Sequence, residues 1–245
     1  MTEIQVLDFD TQLFGFKVGK FMDSRISSEK AAEIIRECKS NNIKCIYADL
    51  DINDFVSLGT AVKYGFVISD IRVIFEKDLT NFENNYEKKL RDYGIDDIVK
   101  DEDLPYLELL SKELSLTSRF EFDNNFPKGS AERLYKLWMV NSINKRVADK
   151  IFIAREIKSQ NAVGVITCKK NSDYGEIILF VVSKEHKGKG LGSFILNHTF
   201  HFFKENSIKK VRVVTQARNI PAQRLYQKNG FLTCATSVLF HLWIK

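Results

Sequence analysis

The stretch EIILFVVSKEHKGKGLGS, at residues 176–193, determines the fold that we predict for this chain. Its first half is a continuous apolar run, which predicts a buried strand, and the pattern FILNHTFHFFKEN after it predicts a helix. Gly188, Gly190 and Gly192 lie between the two. Glycines let a ligand approach the backbone closely, and the start of a helix offers free N–H groups and a positive dipole end to an anion. The stretch therefore predicts a phosphate-binding loop.

Two common phosphate-binding loops do not fit this stretch. A P-loop requires Lys and then Ser or Thr after its last glycine, and a dinucleotide-binding fingerprint requires wider glycine spacing and an acidic residue about twenty positions later. Neither pattern occurs around residues 187–193. An ordinary glycine-rich turn is the alternative interpretation. Lys187 and Lys189 would add positive charge around a bound anion.

A second block, IKKVRVVTQARNIPAQRLYQKNGF at residues 208–231, predicts a strand, a polar turn, a short helix and a glycine stop. Together the two blocks resemble the GCN5-related N-acetyltransferases (GNAT family). The family binds the pyrophosphate of acetyl-CoA with Arg or Gln, two residues, Gly, one residue, and Gly or Ala. Lys187 stands in place of the Arg or Gln, which is a conservative departure from the pattern, and Gly190 and Gly192 stand at the glycines. The second block matches the later family pattern at Asn219, Ala222, Tyr226, Gly230 and Phe231.

The resemblance implies an α/β (α+β) fold in which helices flank a twisted mixed β-sheet. The chain has 245 residues, which is long for one such domain, and an internal repeat explains the excess. Residues 28–76 and the C-terminal segment both predict helix, strand, helix and strand, but the N-terminal copy lacks a Gly-x-Gly loop. We therefore predict a degenerate N-terminal GNAT-like domain at 1–80, a linker at 81–95 and a catalytic GNAT domain at 96–245. A solvated helix is the alternative for the polar segment 79–101.

The beginning of the second half predicts helices at DEDLPYLELLSKEL and SAERLYKLWMVNSINK, followed by a β-hairpin that turns at Ser159-Gln160-Asn161. Between the two helices, residues 118–129 predict a turn-rich loop. Its three phenylalanines either pack on the domain or contribute to a binding site; they are Phe120, Phe122 and Phe126.

Composition limits the function further. The net charge is +5, but 32 acidic residues are interspersed with the basic ones and there is no arginine-rich arm, so nucleic acid is not a required partner. No apolar run approaches the length of a membrane span, and the N-terminus lacks a signal-peptide pattern. The four cysteines lack metal-ligand spacing, which favours a reducing cytoplasm. His198 and His201 are interpreted as ordinary helix residues, and we predict no metal site.

The resemblance also implies roles in the cofactor site and in catalysis. Tyr226 corresponds to the hydroxyl that faces the sulfur of acetyl-CoA, so we predict that it is the general acid; the alternative is a packing role. The general base is not identified, because Glu176 is at least as well explained as a solvent-facing residue. The predicted acetyl-CoA contacts are Phe180, Val182, Lys187, Gly188, Lys189, Gly190, Leu191, Gly192, Ser193 and Asn219.

The chain also resembles one branch of the family, the TDP-fucosamine acetyltransferases, which act on a TDP-linked 4-amino-4,6-dideoxygalactose. The likeness rests on the order of short signals along the chain: Phe14-Gly15, Ser118-Arg119-Phe120, Tyr135, Trp138, RVVTQ at 212–216, Asn219, Tyr226 and Trp243. This likeness implies that the acceptor is the amine of a nucleotide-linked amino-dideoxy sugar.

Arg119, Phe120 and Gln216 are the predicted acceptor contacts. A guanidinium group suits a diphosphate, although an ion pair of Arg119 with Glu121 or Asp123 is an equal alternative. Two other functions stay open: acetylation of a peptide, amino acid or antibiotic, and non-catalytic acyl-CoA sensing. A homodimer is considered possible, and deletion of residues 1–78 is expected to destroy sugar acetylation.

Overall fold

A computed structural model describes residues 4–83 and 90–244 of the chain. Residues 84–89 of the predicted linker lie outside the described residues. The described strands are β1 (Ile4–Val6), β2 (Val18–Phe21), β3 (Cys45–Asp51), β4 (Val67–Asp78), β5 (Tyr93–Asp96), β6 (Lys150–Glu156), β7 (Ala162–Lys170), β8 (Gly175–Val182), β9 (Lys210–Gln216) and β10 (Leu232–Trp243). The described α-helices are α1 (Asp8–Phe14), α2 (Ser28–Ser40), α3 (Phe55–Lys63), α4 (Leu104–Ser115), α5 (Arg119–Phe122), α6 (Ser130–Ile143), α7 (Leu191–Glu205) and α8 (Ile220–Lys228).

The predicted α/β class, a mixed sheet flanked by helices, is confirmed. In the described part of the chain the strands form one sheet in the order β1-β2-β3-β10-β4-β9-β8-β7-β6-β5. The β2–β3 and β8–β9 pairs are parallel, and the other neighbouring pairs are antiparallel. The predicted repeat is visible as α2-β3-α3-β4 and α7-β9-α8-β10.

Strand β10 connects the two halves, because it lies between β3 and β4 and pairs antiparallel with both. Strand β4 in turn pairs with β9, so the last strand of each repeat enters the sheet of the other. This arrangement determines what deletion of the N-terminal half can show. Deletion of residues 1–78 would remove both neighbours of β10 and one neighbour of β9, so the loss of activity that we expected would report unfolding and would not identify an acceptor site.

Hydrogen-bonded caps explain where several helices begin. The side chain of Ser27 accepts a hydrogen bond from the backbone N–H of Lys30 at the start of α2. Asp54 caps α3 in the same way through the N–H of Ser57. Ala31, Ile34 and Cys38 of α2 are buried at helical spacing, so this helix covers the N-terminal part of the sheet with one apolar face.

The predicted linker contains structure that the sequence did not reveal. Tyr93–Asp96 forms the edge strand β5 and pairs with β6, so this part of the segment is neither a linker nor a solvated helix. A buried ion pair helps to hold this edge: Arg155 Nη2 lies 2.8 Å from Oδ2 of Asp103, and Nη1 binds the other oxygen. Burial alone would raise the pKa of Asp103, but the Arg155 hydrogen bonds outweigh it and hold the pKa below its ordinary value.

The turn-rich loop packs most of its aromatic side chains. Phe120 and Phe126 are buried, and their rings lie 5.3 and 4.7 Å from the ring of Phe14. Phe122 is 56% exposed and lies under the guanidinium group of Arg218. Phe120 of α5 and the nearby Phe126 therefore join this segment to the N-terminal half through a shared apolar cluster.

Among the described helices, none combines the length and the apolar character that crossing a bilayer would require. Within the same residues, no group of three or more His, Cys, Asp or Glu side chains is arranged to hold a metal ion.

Candidate active site

A gap between two parallel strands forms the centre of the candidate site. The pairing of β8 with β9 ends at Ile177 and Val213, although β8 continues to Val182 and β9 to Gln216. The register of β7 against β8 shifts at this level, which leaves Ile178 as an extra residue in β8. Such a bulge bends its strand and increases the local twist, which explains why the two strands separate here. The exposed strand edges can bind an extended ligand through backbone groups.

The predicted phosphate loop follows β8 and leads into α7. Gly188 and Gly190 have φ angles of 78° and 89°, the left-handed conformation that favours glycine, and Gly190 is the N-cap of α7. Gly192 has another reason to be glycine, because a Cβ atom there would lie 2.9 Å from Cδ2 of Leu225. Only Gly188 and Gly190 shape the loop itself, whereas Gly192 allows α7 to pack closely against α8.

Side chains around the loop hold it in place. Glu113 of α4 accepts a hydrogen bond from the backbone N–H of Lys184 at 2.9 Å, and its other oxygen lies 2.8 Å from Nζ of Lys187. Ser193 accepts a hydrogen bond from the side chain of Asn229 at 3.0 Å, and Leu191 is buried. The charge of Lys187 is therefore shared with Glu113, so a bound anion would depend mainly on backbone N–H groups.

Tyr226 lies in α8 near the gap and is 4% exposed. Its ring centre is 5.7 Å from that of Phe75 and 6.5 Å from that of Phe180. Burial raises the pKa of the Tyr226 hydroxyl, which therefore stays protonated at neutral pH. No hydrogen bond joins this hydroxyl to another described residue, so its proton is available to a ligand. Asn219 caps the same helix by accepting from the N–H of Ala222 at 3.3 Å.

A cavity of about 660 Å³ extends from Tyr226 across the middle of the sheet. It brings together the predicted catalytic residue and all three predicted acceptor contacts, along with Phe180 and Asn219. Val182 and the predicted contacts in 187–193 do not line it. The predicted site residues that line the cavity are Arg119, Phe120, Gln216, Tyr226, Phe180 and Asn219. Its other lining residues include Glu176, Tyr47, Asp49, Asp70, Arg72 and Tyr135.

Neighbouring strands place several polar residues on the cavity side of the sheet. Asp49 and Asp70 both pair with Leu239 from opposite sides of β10. One pleat further along β4, Arg72 pairs with Gln216 of β9. Residues that face each other on neighbouring strands share a face of the sheet, so these four strands form a polar floor under the cavity.

Asp70 is the main residue of the candidate site that no sequence motif indicates. It is 4% exposed, and its Oδ2 atom has no hydrogen-bond partner among the described residues. Oδ1 accepts from the N–H of Ile71 at 2.8 Å and lies 3.5 Å from Nε of Arg218. Burial raises the pKa of Asp70, and these contacts offset only part of that effect. The available signal was a single carboxylate within the apolar strand sequence FVISDIRVIF.

Arg119 does not form the alternative ion pair with Glu121 or Asp123 in the described structure. Its Nε–H group donates to Nε2 of His241 at 3.1 Å, and its guanidinium group lies over the ring of Tyr47. The Nη1 and Nη2 groups donate no hydrogen bond to a described residue. The planar fork of Arg119 is therefore fixed at one end and free to bind an anion at the other.

Glu176, the uncertain candidate for the general base, lines the cavity as well. One of its carboxylate oxygens accepts a hydrogen bond from the side chain of Asn171 at 3.3 Å. Asp70 is the better candidate, because it is more deeply buried and one of its oxygens has no partner.

Comparison with known proteins shows which proteins the chain is similar to. Residues 113–231 match the sequence model of the acetyltransferase (GNAT) family. The spore coat polysaccharide biosynthesis protein SpsD of Bacillus subtilis (strain 168) is 23% identical over 134 residues, which are 55% of this chain and 45% of that protein. The chain thus matches about half the length of this relative.

Two solved structures share the fold along nearly the whole chain. A GCN5-related N-acetyltransferase from Sphaerobacter thermophilus superposes with a TM-score of 0.70 and 15% identity, covering 99% of this chain and 76% of that one. A tandem GNAT protein from the clavulanic acid biosynthesis pathway gives a TM-score of 0.63 and 13% identity, covering 93% and 75%. At these identities the comparison concerns the fold alone.

Proposed function

Because the chain belongs to the GNAT family, whose sequence model it matches at residues 113–231, we propose that it is an acetyl-CoA-dependent N-acetyltransferase. We propose further that the acceptor is the amine of a nucleotide-linked amino-dideoxy sugar, a TDP-4-amino-4,6-dideoxyhexose. The observation that carries the proposal is the cavity that joins Tyr226 at the strand gap to the unpaired fork of Arg119.

The loop and the gap fit the two ends of acetyl-CoA. The N–H groups at the start of α7 and the left-handed turn at Gly188 and Gly190 suit a pyrophosphate. The unpaired edge of β8 after Ile177 suits the pantetheine arm, which carries amide groups along its length. A ligand held at both places directs its thioester toward Phe180 and Tyr226, which lie beside the gap.

The reaction needs two proton transfers. The amine attacks the thioester carbonyl carbon, so that a C–N bond forms and the C–S bond breaks. Asp70 accepts the proton that the attacking nitrogen loses, and its raised pKa moves it closer to the operating pH of a general base. Tyr226 donates its proton to the departing thiolate, since burial keeps it protonated until then. Holding both reactants in one cavity supplies the proximity that the attack requires.

Features of the cavity support a nucleotide sugar as the acceptor. Its volume of about 660 Å³ lies in the range of small-molecule binding sites. Arg119 offers two unpaired N–H donors on one side, a pattern that suits a phosphate oxygen pair. The relative SpsD is named for polysaccharide biosynthesis, which is consistent with sugar chemistry.

A panel of acceptors tests the proposal. The protein is incubated with acetyl-CoA and, separately, with TDP-linked amino-dideoxy sugars, free amino sugars, lysine peptides, amino acids and aminoglycosides, and the products are weighed by mass spectrometry. We expect acetylation of the nucleotide sugars above all others. Acetylation of peptides or antibiotics alone would reject the acceptor and keep the enzyme class. Acetyl-CoA binding without any product would support a non-catalytic sensor instead.

A further inference from the structure

Three buried polar atoms in the described residues around the cavity have no hydrogen-bond partner. They are Oη of Tyr47, Oδ1 of Asp49 and Oδ2 of Asp70, and all three residues line the cavity. Of these three residues, only Asp70 has a role in the proposed reaction. Tyr47 and Asp49 belong to β3, in the N-terminal half that lacks the phosphate loop.

The two side chains are held firmly and lie on the same face of β3, since they are two residues apart. The ring of Tyr47 lies 5.0 Å from that of His241 and 5.8 Å from that of Phe120, and the residue is 7% exposed. The other oxygen of Asp49 binds Nη1 of Arg72 at 2.9 Å. The hydroxyl and the carboxylate oxygen are thus fixed in place by contacts that leave their hydrogen-bonding capacity unused.

Burying a hydroxyl or a carboxylate oxygen without a partner destabilises a folded protein. A phenylalanine at position 47 would keep the ring contacts and avoid this cost. The two groups offer a donor, the hydroxyl of Tyr47, and an acceptor, Oδ1 of Asp49, and one sugar hydroxyl satisfies both when it accepts from Tyr47 and donates to Asp49.

We propose that Tyr47 and Asp49 form a subsite that recognises a ring hydroxyl of the acceptor. The N-terminal half thereby supplies acceptor specificity, while the C-terminal half binds acetyl-CoA and supplies the acid, Tyr226. This inference rests on the proposed function, because it takes the acceptor to be a sugar.

The variant Tyr47→Phe tests the subsite, because the protein itself makes no use of the hydroxyl. We expect its melting temperature without ligand to equal or exceed that of the wild type. We expect its KM for the nucleotide sugar to rise about tenfold, as for the loss of one good hydrogen bond, with KM for acetyl-CoA unchanged. Tyr64→Phe is the matched control, since Tyr64 lies in the same half and outside the cavity.

A pair of acceptors that differ by one ring hydroxyl makes the test sharper. The wild type should prefer the hydroxylated acceptor of one such pair, and Tyr47→Phe should lose that preference. Equal preference in the variant and the wild type, for each ring hydroxyl tried, would overturn the subsite.

Calorimetry separates this inference from the proposed function. The nucleotide sugar is titrated into the wild type and into Tyr47→Phe in the absence of acetyl-CoA. Binding that weakens in the variant supports the subsite even if no acetylated sugar forms, in which case the proposed function alone fails. Equal binding by both proteins, or no binding by the wild type, would reject the subsite.

Discussion

The Nε–H group of Arg119 donates a hydrogen bond to Nε2 of His241 over 3.1 Å. Since Nε2 is an acceptor, the proton of the neutral ring lies on Nδ1, from which it is donated to Asp123 over 2.7 Å. Burial lowers the pKa of His241, which favours this neutral form even though the bond to Asp123 acts in the opposite direction. Asp123 also accepts from Nε1 of Trp243 at 2.9 Å. The chain of contacts from Asp123 to Arg119 sets the direction of the free fork.

His241→Leu should therefore weaken acceptor binding without changing the chemistry. The leucine fills similar space but cannot accept from Arg119, so we expect KM for the acceptor to rise about tenfold while KM for acetyl-CoA stays unchanged. His241→Gln, whose amide can accept from one neighbour and donate to the other, should recover part of the loss. Trp243→Phe is the control, because it removes a bond to Asp123 and leaves Arg119 alone. The positioning role is wrong if steady-state kinetics give Leu and Gln variants the same acceptor KM.

The cofactor loop gives a second prediction. Gly190→Glu places a negative charge at the start of α7, where the pyrophosphate would bind, and calorimetry should detect no acetyl-CoA binding. Because the φ of 89° strains most side chains, Gly190→Asn is the control for backbone strain alone, and it should bind more tightly than the Glu variant. Lys187→Ala should weaken binding less, since Lys187 is already paired with Glu113. Unchanged affinity in Gly190→Glu would remove the loop from the cofactor site.

Tyr226→Phe tests the general acid. The substitution keeps the ring contacts with Phe75 and Phe180 and removes only the hydroxyl. We expect the turnover number to fall by about 10²–10⁴, with acetyl-CoA affinity nearly unchanged, because the thiolate would leave without a proton donor. Stopped-flow or steady-state release of CoA measures the effect. A turnover number equal to that of the wild type would leave Tyr226 as a packing residue.

Local patterns predicted much of the fold, because helices and strands with strong periodicity depend mainly on their own residues. The predicted helix over residues 27–42 is observed as Ser28–Ser40, and the predicted hairpin around Gln160 is observed as β6 and β7. The insertion of β10 between β3 and β4 was not predicted. Strand order is set by contacts between distant residues, such as the pairing of Phe240 with Ala48, for which one sequence carries no local signal.

The candidate site shows the same limit. Tyr226 was predicted from its motif position and Gln216 from its place at the end of a predicted strand, and both line the cavity. His241 seemed unimportant in the sequence because no other histidine lies near it, yet it is the partner of Asp123, 118 positions away. Asp70 and Tyr47 lack any motif, and only the sheet pairing places them beside Arg119.

Asp70→Asn gives the last prediction, because it tests the assigned base with a side chain of nearly the same shape. The amide cannot accept the proton of the attacking amine, so kcat/KM for the acceptor should fall by about 10²–10⁴ at neutral pH. Acetyl-CoA affinity should stay close to that of the wild type.

The pH profile distinguishes this role from a structural one. In the wild type the rate should fall as the pH falls through the raised pKa of Asp70, because the protonated carboxyl cannot act as a base. The loss of kcat/KM in Asp70→Asn, relative to the wild type, should become smaller as the pH rises, because an amine that is already neutral needs less help from a base. A loss of kcat/KM that is the same at all pH values would indicate that the substitution disturbs the contacts of residue 70 with Arg218 and Ile71 instead of the proton transfer.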